Sequence, residues 1–240
     1  MDPVGTQARF ALYYAPPAGS VLEDLARRWL GRDVTTDERV ERPVVAGIDP
    51  ARAEALTESP RFYGFHGTLK APFALAEGCR AEDLMAAVES FAATQAPFTL
   101  PPFMVAPLDG FIALVPSAPS ALLDELAAHC VQVFDAFRAP PSAADLEKRR
   151  AAGLTAGQHA LLERWGYPYV MEAFRFHMTL TGRLDDDGER AATVAALREL
   201  FAPVTAESAP VDSLSVFFQA DRTTPFRLVR RVPFTASGGG

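Results

Sequence analysis

Two apolar runs, each closed by a proline turn and followed by an amphipathic segment, occur in widely separated parts of the chain. Phe10-Ala11-Leu12-Tyr13-Tyr14-Ala15-Pro16-Pro17 leads into Val21-Leu22-Glu23-Asp24-Leu25-Ala26. Much later, Phe111-Ile112-Ala113-Leu114-Val115-Pro116 leads into Leu122-Leu123-Asp124-Glu125-Leu126-Ala127. A short apolar run reads as a buried strand, and apolar residues three and four apart read as one face of a helix. Each unit therefore predicts strand, turn, helix.

A second pair of segments follows in the same order. Phe65-His66-Gly67-Thr68-Leu69 precedes a predicted helix from about Arg80 to Thr94 and a strand near Phe98 to Val105. Phe176-His177-Met178-Thr179-Leu180 precedes a helix from about Glu189 to Phe201 and a strand near Ser213 to Gln219. Leu214 to Phe218 and Phe226 to Val232 read as a hairpin across Asp221-Arg222-Thr223-Thr224. Between the halves, Ala139 to Arg150 reads as an exposed connection or lid. The expectation is an α+β fold duplicated into two lobes, with repeat units near 9–109 and 110–234 of a single domain spanning 1–234. Two antiparallel β-sheets would face a central cleft, with helices on the outer faces. Residues 235–240 read as a flexible tail.

Period-two alternation then sorts the motif residues. In a strand, residues two apart share a face. His66, Thr68 and Lys70 fall on one face of the first motif; Arg175, His177, Thr179 and Thr181 fall on one face of the second. Phe65, Leu69, Phe176, Met178 and Leu180 face a core. Duplication alone would repeat two core histidines, but the alternation sets both on the polar side. Two imidazoles at one phosphorus suit phosphodiester chemistry, because near neutral pH one ring can accept a proton while the other donates one. Thr68 and Thr179 could hydrogen-bond non-bridging oxygens, and Lys70 could add positive charge. The remaining two of the four histidines, His129 and His159, lack this context.

Composition narrows the classes. A net charge of −7 disfavours non-specific binding to long nucleic acids, so a small phosphorylated substrate fits better. The N-terminal residues lack a secretory pattern and no apolar run is long enough to span a membrane, so a cytoplasmic location is expected. Cys79 and Cys130 read as isolated thiols, and no zinc-ligand spacing is present. Asp185-Asp186-Asp187 reads as a helix N-terminal cap rather than a metal site. No metal and no cofactor are expected. The oligomeric state is not legible.

The string Tyr63-Gly64-Phe65-His66-Gly67-Thr68-Leu69-Lys70-Ala71-Pro72-Phe73, paired with Phe174 to Gly182, resembles the two-histidine (2H) phosphoesterase superfamily. In particular it is similar to a bacterial branch associated with phosphonate metabolism. The resemblance covers nearly the whole chain, from Arg9 to Phe234. It implies a bilobal fold and metal-independent hydrolysis of a cyclic phosphate, with His66, Thr68, His177 and Thr179 as working residues. Gly67 and Met178 differ between the motifs, but both belong to the core face. Substrate contacts are open: Lys70, Thr181, Tyr14, Tyr63 and Arg175 are candidates, as are Trp165, Tyr167, Tyr169, Arg61 and Arg183. An RNA terminus as substrate, or a module that only binds a phosphate ligand, stand as alternatives to a nucleoside 2′,3′-cyclic phosphate or ribose cyclic phosphate.

Overall fold

The computed structural model describes residues 8–151 and 153–237. Nine strands organise it: β1 (Arg9–Tyr14), β2 (Gly67–Phe73), β3 (Phe98–Leu100), β4 (Phe103–Leu108), β5 (Phe111–Pro116), β6 (Met178–Thr179), β7 (Ala209–Val211), β8 (Ser213–Gln219) and β9 (Arg227–Pro233). The helices are α1 (Val21–Leu30), α2 (Pro50–Leu56), α3 (Glu58–Tyr63), α4 (Ala81–Ala93), α5 (Ala121–Val133), α6 (Ala143–Arg150), α7 (Ala156–Trp165) and α8 (Asp187–Phe201). Capping explains several starts. The Ser20 and Ser120 side chains accept the backbone N–H groups of Glu23 and Leu123 at α1 and α5, and Asp186 accepts that of Glu189 at α8. The acidic run at 185–187 thus supplies a helix cap.

Seven strands form one antiparallel sheet in the order β4-β5-β6-β2-β1-β8-β9, and β3 pairs with β7 alone. The α+β class and antiparallel pairing agree with the sequence, but the two expected sheets are joined into one. The junction is slight: β2 meets β6 only at Gly67↔Met178. From this seam the order runs β2-β1-β8 one way and β6-β5-β4 the other. Strand β4 belongs to the first part of the chain yet pairs with β5, and β8 belongs to the second yet pairs with β1. Each half-sheet therefore borrows a strand from the other half of the chain. Asp109-Gly110, both at positive φ, make the two-residue turn between β4 and β5 that allows this.

One face of the sheet carries the main core. Phe10, Leu12 and Tyr14 from β1, Leu69 and Phe73 from β2, Ile112 and Leu114 from β5, and Leu214 and Val216 from β8 pack with the buried sides of α1, α4, α5 and α8. The opposite face has a smaller apolar patch of Ala11, Tyr13, Ala15, Phe217, Phe226 and Leu228. The motif helices support each other's strands crosswise. Trp29 of α1 donates its indole N–H to Leu180 O (2.8 Å), and Lys70 of β2 donates to Val131 O of α5 (3.0 Å). At the C-terminal end, Ala236 N–H bonds Gln95 O (3.1 Å), so that stretch of the expected tail is anchored; residues 238–240 lie outside the described residues.

Candidate active site

His66 and His177 each sit one residue before their strands, at the seam between the half-sheets. Both rings are fixed the same way. His66 Nδ1 lies 2.8 Å from Gly64 O, and His177 Nδ1 lies 2.8 Å from Arg175 O. A carbonyl only accepts, so Nδ1 carries the proton in each neutral ring and Nε2 is the free nitrogen. Gly64 has a φ of 77°, and a Cβ there would collide with Val34. The residue whose carbonyl fixes the first imidazole is therefore held to glycine.

A cavity of about 350 Å³ opens beside the first motif, walled by Arg9, Tyr13, Tyr63, His66, Thr68, Tyr167 and Thr179. The His66 ring stacks on Tyr13 with centroids 3.7 Å apart and planes 15° apart. Thr179 brings the second motif to the same wall; His177, two residues earlier, is not one of the residues lining that cavity, and its ring lies against Phe111 (5.5 Å between centroids), near enough for its charge to act on His66. Burial lowers the His66 pKa to about 4, opposed by the Gly64 carbonyl and helped by the nearby His177 charge. The His177 pKa is also lowered, by burial first, with the Arg175 charge adding to it and Asp109 opposing. Both rings therefore favour the neutral form, and the His177 charge acts on His66.

Other expected contacts lie elsewhere. Lys70 does not share the face of His66. The register shifts between Leu12 and Tyr13, so that Thr68 sits opposite Tyr13 while Lys70 sits opposite Leu12. A bulge puts two consecutive residues against one, which breaks the alternation. Lys70 is buried towards α5, within 3.5 Å of Asp135, and desolvation lowers its pKa to about 8. Tyr14 points into the helix-covered core against Phe176 and Phe103, its hydroxyl without a hydrogen-bond partner; Tyr13 takes the cavity side. Thr181 is fully buried and its Oγ1 accepts the Ile112 N–H (3.0 Å), which fastens the chain after β6 to β5. Arg175 is exposed and 3.8 Å from Asp109, outside the cavity wall. Arg61 is tied to Glu54 and Arg183 to Asp185. Tyr63 stands on the cavity wall, stacked on Phe226 (5.5 Å).

Arg9 was missed, although its signal was present: counting back by twos from Tyr13 gives Ala11 and Arg9 on the cavity side. Its guanidinium bonds the Gln219 side-chain carbonyl oxygen (Nε, 2.7 Å). Among the described residues, the polar side chains of the cavity wall are imidazole, hydroxyl and guanidinium groups, with no carboxylate or thiol. A guanidinium beside hydroxyl donors, with no carboxylate, suits an anion.

A family model described as "Protein of unknown function (DUF1045)" matches residues 68–227. That stretch takes in Thr68, His177 and Thr179 and begins just after His66. The chain is similar to a protein named "Ribose 1,5-bisphosphate phosphokinase PhnN" from Janthinobacterium sp. (strain Marseille), 40% identical over 97% of this chain and 52% of that protein. A protein of the same name from Laribacter hongkongensis (strain HLHK9) is 37% identical over 96% of this chain and 53% of its own length. The chain thus spans about half the length of the curated relatives it matches. Among solved structures, it is similar to a phosphoesterase (15% identity, TM-score 0.41, 96% of this chain and 99% of that one). It is also similar to E. coli LigT complexed with 3′-AMP (15% identity, TM-score 0.40, with the same coverage).

Proposed function

The chain belongs to the DUF1045 family, and we propose that it is a metal-independent phosphodiesterase that opens a small cyclic phosphate. The reading is carried by the matched Nδ1–carbonyl bonds, which leave Nε2 available on each of two rings, the second near enough for its charge to act on the first. His66, held neutral, takes a proton from the attacking water. The water oxygen bonds phosphorus, the phosphorus–oxygen bond to the leaving alkoxide breaks, and His177, which the negative charge of the bound phosphate shifts towards its protonated form, delivers a proton to that oxygen. Atoms and charge balance, and the product is a phosphomonoester. Thr68 and Thr179 donate to the non-bridging oxygens, where charge is held through the transition state.

The cavity falls within the range of about 300–1,000 Å³ typical of small-molecule sites, which supports a small substrate over a polymer. Tyr63 and Tyr167 on its wall provide faces for a sugar or base. The relatives' name refers to a ribose bisphosphate, which supports including ribose cyclic phosphates beside nucleoside 2′,3′-cyclic phosphates. The test is turnover of a panel of these, with an RNA oligomer ending in a cyclic phosphate alongside, in the presence of EDTA. Turnover that resists EDTA and falls about 10²- to 10⁴-fold in folded His66→Ala and His177→Ala supports the mechanism. Activity lost to EDTA, or unaffected by either substitution, refutes it, and binding without turnover reduces the site to a phosphate-binding module.

A further inference from the structure

A second, smaller pocket of about 60 Å³ adjoins the histidine cavity; Arg9 and Pro72 line both. Arg9, Arg138 and Arg222 wall it, against one carboxylate among the described residues, Asp145. The volume is several times the roughly 10–15 Å³ that one water needs, and small for a base.

The three arginines are not equivalent. Arg138 is consumed by structure, since it pairs with Asp135 (2.7 Å) and reaches Arg164 O (3.3 Å). Arg222, in the β8–β9 turn, pairs with Asp145 at 2.7 Å. Arg9 bonds a neutral amide and lies over the Phe226 ring (5.2 Å from its centroid). Burial, and then the like charge of Arg222, lower its pKa. Two guanidinium groups held near each other share one carboxylate, Asp145, which pairs with Arg222 and acts on Arg9, and Arg9 itself is bonded to an amide; the pocket keeps an excess of positive charge that a second anion would neutralise.

We propose that this pocket is a second phosphate subsite, and that the substrate carries a phosphomonoester in addition to the phosphodiester presented to the histidines. The inference rests on the phosphodiesterase reading for its chemistry but on different residues for its recognition. Arg9, shared by both chambers, sits between the two phosphates, and Arg222 binds the outer one. A phosphate dianion displaces Asp145 from Arg222, which couples binding to α6, the helix that carries Asp145. The substrate class is a small sugar or nucleoside phosphorylated at two positions, one of them cyclised.

The test compares adenosine 2′,3′-cyclic phosphate with its 5′-phosphorylated counterpart on the wild-type protein and on Arg222→Gln and Arg222→Lys. The wild type should prefer the 5′-phosphorylated compound by about tenfold or more in kcat/KM, the range of charge-assisted bonds to phosphate. Arg222→Gln should cut that preference most of the way to unity, and Arg222→Lys should restore part of it. Wild-type turnover of both compounds at equal efficiency overturns the subsite while leaving the phosphodiesterase reading intact. If neither compound is turned over, binding decides. Calorimetric titration with AMP and with adenosine should then show tighter AMP binding, weakened by Arg222→Gln but not by His66→Ala. Equal binding of AMP and adenosine overturns the subsite by that route as well.

Discussion

His66 should make the protein lose stability in mild acid, by an amount that can be worked out. An unfolded histidine titrates near 6.5, whereas the folded His66 titrates at about 4 because burial penalises the imidazolium. Below about pH 6.5 the unfolded chain takes up a proton that the folded ring refuses. The stability contributed by the neutral ring is therefore fully present above 6.5 and is lost as pH falls towards 4. Linkage puts the loss at about 2 kcal/mol between about pH 7.5 and about pH 5, out of about 3 kcal/mol over the whole interval. Urea unfolding of the wild type and His66→Gln at both pH values isolates this one group, because other titrating groups are common to both proteins. The wild type should lose about 2 kcal/mol more than the variant. An equal loss in both, or an NMR titration of the His66 ring with a midpoint near 6.5, would refute the reasoning. It would also remove the reason to treat His66 as the ready proton acceptor.

Two substitutions probe the surroundings. Gly67→Ala would drive a Cβ into the Phe176 ring at the single residue pair joining the half-sheets. It should cost about 1–3 kcal/mol by urea unfolding and lower kcat on any accepted cyclic phosphate even where the variant is fully folded; a loss below about 0.5 kcal/mol would contradict the close approach. Tyr14→Phe removes a buried hydroxyl without a hydrogen-bond partner, so stability should hold or rise by about 1 kcal/mol with turnover unchanged; lost activity would put Tyr14 back in the site.

The sequence was most legible where one period ruled. Alternation by two put His66 and Thr68, and likewise His177 and Thr179, opposite the apolar residues of their motifs; Phe65, Leu69, Phe176, Met178 and Leu180 lie in the core, and His66, Thr68 and Thr179 line the cavity. The same count failed at Lys70, because a bulge changes facing without leaving a mark in residue type. Tyr14 was the candidate contact, yet the structure gives the cavity side to Tyr13, since an aromatic ring suits a core as well as a cavity wall. Arg9 was legible but overlooked, because it stands at the edge of the first apolar run. The crossing of β4 and β8 was hidden by the repeat itself: identical strand orders in both halves fit pairing within a half as well as pairing across. Only the Asp109-Gly110 turn hinted at a hairpin bridging the two.

That crossing means the protein has no natural place to be cut. A fragment ending at the midpoint would lack β8, the partner of its own first strand, and would present β4 with nothing to zip onto. The complementary fragment would carry the opposite deficits. Neither would be a smaller version of the whole, so the strand that carries each imidazole is braced by chain from both halves.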